Sequence, residues 1–141
     1  MSTLGVAIAL AAEAHKNQTD KGGKAYILHP IRIMMRLRTD DEELMMIAIL
    51  HDVVEDSDIT LEMLADMGFS RRVIDGVDAM TKREGEDYSD YIERCAANPD
   101  TKLVKKEDIK DNSDVTRLKG LEEKDFRRLE KYCRAYERLN D

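Results

Sequence analysis

Aromatic side chains are scarce in this sequence: tryptophan is absent, phenylalanine occurs twice and the aromatic share is 5%. Glycine (7) and proline (2) are few as well. A sheet protein of this length needs more of both the residues that fill strands and those that punctuate turns, so the composition excludes a strand-and-turn architecture and favours helices. The two cysteines, Cys95 and Cys133, lie far apart with no CxxC spacing. That excludes a disulfide framework and a thiolate zinc knuckle and fits a reducing cytoplasm. There is no basic excess either. The net charge is −7 with both signs interspersed, which speaks against a protein that holds nucleic acid by its phosphates. No stretch approaches the roughly 18 apolar residues of a membrane span. The apolar run from Gly5 to Ala12 has no Lys or Arg before it and is broken by Glu13 and His15, unlike a signal peptide.

What is present is a chain of 141 residues, 42% hydrophobic and 38% charged, enough for one core and too short for two ordinary domains. We read residues 1–141 as one all-α domain, a bundle of about eight helices. Ser2 or Thr3 caps a first helix reaching about Gln18, and the polar stretch 19–25, with Gly22 and Gly23, is a loop. The segment ILHPIRIMMRLR predicts a second helix over 27–38, entered through His29-Pro30, because proline is tolerated in a first turn and discourages helix before it. Thr39 or Asp40 caps a third helix with an acidic first turn, whose body LMMIAILHDVVED is apolar enough to be central. Shorter helices are expected over about 61–67, ended by Gly68, and about 70–81. A charged loop at 82–87, a helix over 88–97, a helix from Asn98-Pro99-Asp100 through Asp108 to about Asn112, and an amphipathic helix over about 122–139 complete the chain.

The chemistry gathers on the third helix. His51 and Glu55 are four residues apart, as are Asp52 and Asp56, so on one continuous helix all four would share a side. Such a set directly after MMIAIL is costly unless a cation compensates it or it lines a wet cleft. Imidazole and carboxylate together suit Mn2+, Fe2+, Zn2+ or Mg2+. Asp108 and Asn112 repeat the four-residue spacing, and His29 stands at a helix entrance. His15, alone on a mostly apolar helix, is read as a packed or surface residue outside the metal set.

Three blocks, AHKNQTDKGGKAYILHP (14–30), ILHDVVEDSDIT (49–60) and LVKKEDIKDNSD (103–114), resemble in order and spacing those of the RelA/SpoT-type alarmone hydrolase domains of the HD superfamily. The resemblance implies an all-α fold and one divalent ion, usually Mn2+, held by His29, His51, Asp52 and Asp108. It also implies hydrolysis of the 3′-pyrophosphate of guanosine tetra- or pentaphosphate, with Glu55 and Asp56 as the catalytic pair and Lys21, Tyr26 and Asn112 at the nucleotide. The expected partner is therefore a small phosphorylated nucleotide in the cytoplasm, with neither nucleic acid nor membrane. Two departures stand out. Asp20 occupies a place where the family usually has a basic residue packed on the guanine base, and the stretch before Asp108 carries two more charges than the family's usual Val-Lys-Leu-Ala-Asp, which leads us to expect a more exposed helix there. Two alternatives share the same residues: an HD phosphohydrolase for another nucleotide, such as a nucleoside monophosphate or NADPH, and a nucleotide sensor without catalysis.

Overall fold

The computed structural model describes residues 1–141. Its elements are nine α-helices and one 3-10 turn: α1 Leu4–His15, α2 Leu28–Arg36, α3 Glu42–Leu50, α4 Val53–Asp56, α5 Leu61–Asp66, α6 Arg71–Met80, α7 Tyr88–Ala97, α8 Pro99–Asn112, the 3-10 turn Val115–Arg117, and α9 Glu123–Leu139. There is no sheet; Thr19 and Ala25 form an isolated bridge across the first loop. No helix is long and apolar enough to cross a membrane.

Side-chain caps set most boundaries. The Thr3 hydroxyl accepts from the Val6 amide, Thr60 from Met63, Ser70 from Val73, and Asn98 from Asp100 and Thr101, each satisfying a donor that the first helical turn leaves free. Glu122 and Asp125 form a reciprocal capping box at the start of α9. Three expectations need correction. The first helix ends at His15 rather than near Gln18, because the Gln18 side chain turns back to the His15 ring and to the Asp56 carbonyl. The cap of α3 is Asp41, which accepts from Leu44, while Thr39 accepts from Asp41 itself. And the third helix does not run through the His-Asp pair: it ends at Leu50, and a four-residue helix restarts at Val53 with Asp52 (φ −105°, ψ −1°) before it.

The core forms around α3, which touches α1, α2, α6 and α8. Ile47, Ala48, Ile49 and Leu50 are wholly buried, and each of the larger ones contributes about 1.5–3 kcal/mol by leaving water. α6 approaches α3 at Gly76, where a Cβ would lie 2.5 Å from Ile47 Cδ1. The charged stretch before Asp108 does not loosen α8: Val104, Lys105, Asp108, Ile109 and Asp111 are buried, and Lys106 and Glu107 are partly covered. The expected exposure of that helix is therefore incorrect, because the two extra charges lie at its flank, Lys106 over the Tyr136 ring and Glu107 paired with Lys110, and leave the inward face packed.

Candidate metal centre

Three helices bring His29, His51 and Asp108 together. His29 is the second residue of α2, His51 follows the last residue of α3, and Asp108 lies on α8. Their ligand atoms fall within 4.8 Å of one another and all three residues are buried. Asp52 joins them, with Oδ2 3.0 Å from His51 Nε2 and 3.8 Å from His29 Nε2.

The break after Leu50 creates this geometry. In an unbroken helix His51 and Asp52 would point about 100° apart, and only one would face the cluster. Through the break both do. Glu55 and Asp56 behave differently. Both are exposed, a turn beyond the cluster, and Glu55 accepts the Lys82 amide at 2.7 Å. The expectation that all four residues line one helical side is thus corrected by the interrupted helix.

Both imidazoles are held by Nδ1. That nitrogen of His51 donates to the Ala48 carbonyl at 2.6 Å, and that of His29 donates to Asp111 Oδ2 at 2.6 Å. In the neutral ring each Nε2 then carries a lone pair. Yet these lone pairs face carboxylate oxygens: His29 Nε2 is 2.9 Å from Asp108 Oδ1, His51 Nε2 is 3.4 Å from the same atom, and His51 Nε2 has no hydrogen-bond partner. Lone pairs so disposed repel unless a proton or a metal ion lies between them. Adjacent ligands on an ion with bonds near 2.1 Å sit about 3 Å apart at right angles, and the nitrogen–oxygen spacings here run from 2.9 to 3.8 Å. The residues therefore fit a divalent ion.

The electrostatics agree. Burial alone would lower the pKa of His51, but the Asp52 and Asp108 carboxylates raise it well above its usual value. Burial opposes the charge of Asp52 too, yet the neighbouring His51 holds that carboxyl down at about 2. Asp108 is pulled well below the usual carboxylate range, against burial, by Lys105, His29 and His51. The site thus prefers a cation facing two anions, the arrangement a metal ion completes.

Beside the cluster lies a cavity of about 340 Å³ lined by Asp20, Lys21, Tyr26, Asn112, Arg117 and Arg128, among others. Tyr26 and Asn112 connect the two. The Tyr26 hydroxyl donates to Asp52 Oδ2, and the Asn112 amide donates to Asp108 Oδ1 at 3.1 Å. Burial and the Asp52 charge raise the Tyr26 pKa, so the phenol stays protonated. Lys21 is depressed by partial burial and by the nearby Arg128. Desolvation and the Asp52 charge raise both Glu55 and Asp56, although the Lys82 amide partly offsets this at Glu55. A groove of about 410 Å³ between α7 and α9 contains none of these residues.

His15 is buried near the site without joining it, its Nδ1 2.7 Å from the Gln18 side chain and its ring 5.0 Å from Tyr26. Two buried residues to which the sequence alone assigns no role support the cluster. Lys105 Nζ donates to Asp108 Oδ2 at 2.7 Å and lies 4.8 Å above the Tyr91 ring. Asp111, wholly buried, holds His29 and both donors of Arg32. Its signal in the sequence is the spacing of Arg32 and Arg36, three and seven residues after His29 on one face of α2, which calls for a buried anion opposite.

No protein-family model matches the chain. It is 40% identical over 92 residues to a guanosine-3′,5′-bis(diphosphate) 3′-pyrophosphohydrolase of Vibrio cholerae, which covers 63% of this chain and 13% of that protein. An enzyme of the same name from Aquifex aeolicus is 34% identical over 112 residues, 72% of this chain and 16% of the relative. The shorter MESH1 pyrophosphohydrolase of Danio rerio is 40% identical over 75 residues, 48% of this chain and 42% of that protein. The chain thus spans about a sixth or less of the length of the two bacterial relatives. Among solved structures, one described as a metazoan ortholog of SpoT that hydrolyzes ppGpp superposes over 99% of this chain and 85% of that one, with a TM-score of 0.82 and 24% identity. Fold and site define an all-helical protein with a His/Asp group able to hold a metal ion. By sequence and fold it is an HD-domain, (p)ppGpp hydrolase-like protein.

Proposed function

We propose that residues 1–141 act as one domain that hydrolyses the 3′-pyrophosphate of guanosine tetra- or pentaphosphate in the cytoplasm, releasing GDP or GTP and pyrophosphate. The ion is Mn2+, and His29, His51, Asp52 and Asp108 hold it. The carrying observation is the pair of Nδ1-anchored imidazoles whose free Nε2 atoms face the Asp52 and Asp108 carboxylates beside a cavity with cationic walls. A mixed nitrogen and oxygen set of this kind suits Mn2+ better than a soft-metal ion.

A bound divalent ion lowers the pKa of water and polarises a phosphoryl oxygen. The protein's own groups do the rest. Glu55 and Asp56, raised toward the working pH, accept the proton of the attacking water, since a base is most effective when its pKa lies near the pH at which it works. Lys21 meets the phosphate charge: an ammonium weakened by burial and by Arg128 regains stabilisation when an anion arrives. Protonated Tyr26 and Asn112 hold the Asp52 and Asp108 carboxylates in place while lining the nucleotide cavity.

The test is metal content followed by product release from guanosine tetraphosphate, nucleoside monophosphates and NADPH, with His51→Ala and Glu55→Gln as controls. The expected result is GDP and pyrophosphate from the tetraphosphate alone, lost in both variants, with metal lost only in His51→Ala. Turnover of a monophosphate or NADPH instead would reassign the substrate, metal binding without turnover would make the domain a sensor, and full metal content in His51→Ala would overturn the site.

A further inference from the structure

The loop between α1 and α2 carries Lys21 to the cavity, and one guanidinium fastens it. Asp20 organises the loop from within: its Oδ1 accepts the Gly22 and Lys24 amides, each at 2.9 Å. Its other oxygen, Oδ2, pairs with Arg117 Nη1 at 3.2 Å across 97 residues of sequence. Arg117 Nη2 donates to the Asp111 carbonyl at 2.8 Å and lies 3.5 Å from the Asp111 carboxylate. The backbones meet at the same place, since a Cβ on Gly22 would come within 2.6 Å of the Arg117 carbonyl oxygen. Asp111 in turn holds the His29 ring.

We infer that Arg117 is a positioning residue that clasps the Lys21 loop through Asp20 and ties it to Asp111, the carboxylate that orients the metal-facing His29. The inference rests on the metal and nucleotide reading above. Only arginine suits the place. Its planar fork directs separate donors at Asp20 and at Asp111, whereas a lysine ammonium reaches one of them. The pair is largely covered, with 27% and 13% of the two side chains exposed, so solvent screens it less than a surface ion pair. Substrate charge and metal geometry thereby share one rigid link, and loosening it allows Lys21 to drift from the cavity with the cluster's ligands intact.

The test compares Arg117→Ala, Arg117→Lys, Asp20→Asn and the double variant Asp20→Asn/Arg117→Ala in two readouts. In metal-loaded protein without nucleotide, amide hydrogen exchange over residues 20–25 rises about tenfold in Arg117→Ala and less in Arg117→Lys. Asp20→Asn keeps an oxygen for the loop amides but loses the ion pair, and it adds little to Arg117→Ala because both remove one interaction. In the hydrolysis assay the same variants raise KM for guanosine tetraphosphate about tenfold while kcat changes less than twofold. Unchanged loop exchange in Arg117→Ala, or additive effects of the two single substitutions, would overturn the clasp. Intact KM with loosened exchange would remove its role in substrate positioning. If the unmodified protein turns over no tetraphosphate, the functional reading fails, and the exchange cycle still decides whether the clasp exists.

Discussion

Replacing Asp111 with Asn isolates how much the metal centre depends on a residue that never touches the ion. Around Asp111 every neighbour is a donor: Arg32 Nε at 2.8 Å and Arg36 Nη1 at 3.2 Å on Oδ1, and His29 Nδ1 at 2.6 Å and Arg32 Nη2 at 3.0 Å on Oδ2. An amide offers one acceptor and one donor. Its oxygen goes to the Oδ1 side, where only arginine donors stand, leaving the NH2 group against His29 Nδ1. Of the partners on that side only imidazole can exchange its donor role for an acceptor role, so the ring adopts the tautomer with its proton on Nε2. That proton sits where the ion must bind.

A support of this kind is worth about 10- to 100-fold in metal affinity, or about 1.4–2.7 kcal/mol. Apo-protein stability falls as well. Charge-assisted bonds contribute about 1.5–3 kcal/mol when buried, but the side chains of Arg32 and Arg36 are 28% and 40% exposed, so solvent screening brings the net loss to about 2–3 kcal/mol. Titration calorimetry with Mn2+ measures the first quantity, urea unfolding the second, and the 15N shifts of the His29 ring report the tautomer directly. A folded Asp111→Asn protein that binds Mn2+ within twofold of the parent would show instead that His29 needs no anionic anchor.

Added Mn2+ at a hundredfold excess over its dissociation constant is expected to stabilise the parent by about 2.7 kcal/mol, seen as a thermal shift that EDTA reverses and that His51→Ala lacks. Glu86→Gln is expected to lower Tm at pH 7, because Arg94 and the Arg83 amide hold the Glu86 carboxyl at about 2 in the folded chain against an ordinary value of 4.5. A depressed carboxyl stabilises above its unfolded pKa and loses that effect as protons bind, so the Tm gap between parent and variant should close between about pH 4.5 and 2; a gap constant across that window would count against the Arg94 pairing. Gly76→Ala is expected to cost about 1–3 kcal/mol in urea unfolding, since the new methyl meets Ile47. Combining it with Ile47→Ala should cost less than the sum of the two, as both act on the same volume.

The helices were legible because their signals are local. Thr3, Thr60, Ser70 and Asn98 announce caps within three residues of the amides they satisfy, and the segments after them follow a helical period. The interruption at His51-Asp52 has no such signal. Nothing in ILHDVVED is a helix breaker, and the chain leaves the helix because His51 and Asp52 must both face His29 and Asp108, residues that arrive from 22 or more positions away in sequence. Tertiary demand overrides a propensity the window correctly contains.

His29, His51, Asp52 and Asp108 stand in blocks with recognisable spacing, so residue types and order marked them as candidates, and the fold brings them together. Lys105 carries no such signal, since a lysine beside Lys106 and Glu107 looks like part of a solvated face. Its burial follows from a need that appears only in three dimensions: Asp108 is buried and presents Oδ1 to the imidazoles, so its other oxygen requires a donor from the protein, which Lys105, itself over the Tyr91 ring, supplies. A buried carboxylate without such a partner would cost several kcal/mol. The two extra charges, Lys106 and Glu107, are partly covered and do not disturb α8. Lys106 lies over the Tyr136 ring, while Lys105, at the position where the family also has lysine, turns inward to neutralise one of the two carboxylates of the candidate centre. With that charge cancelled, a divalent ion held by two neutral imidazoles and two carboxylates would keep about one net positive charge, the polarity that an anionic ligand needs.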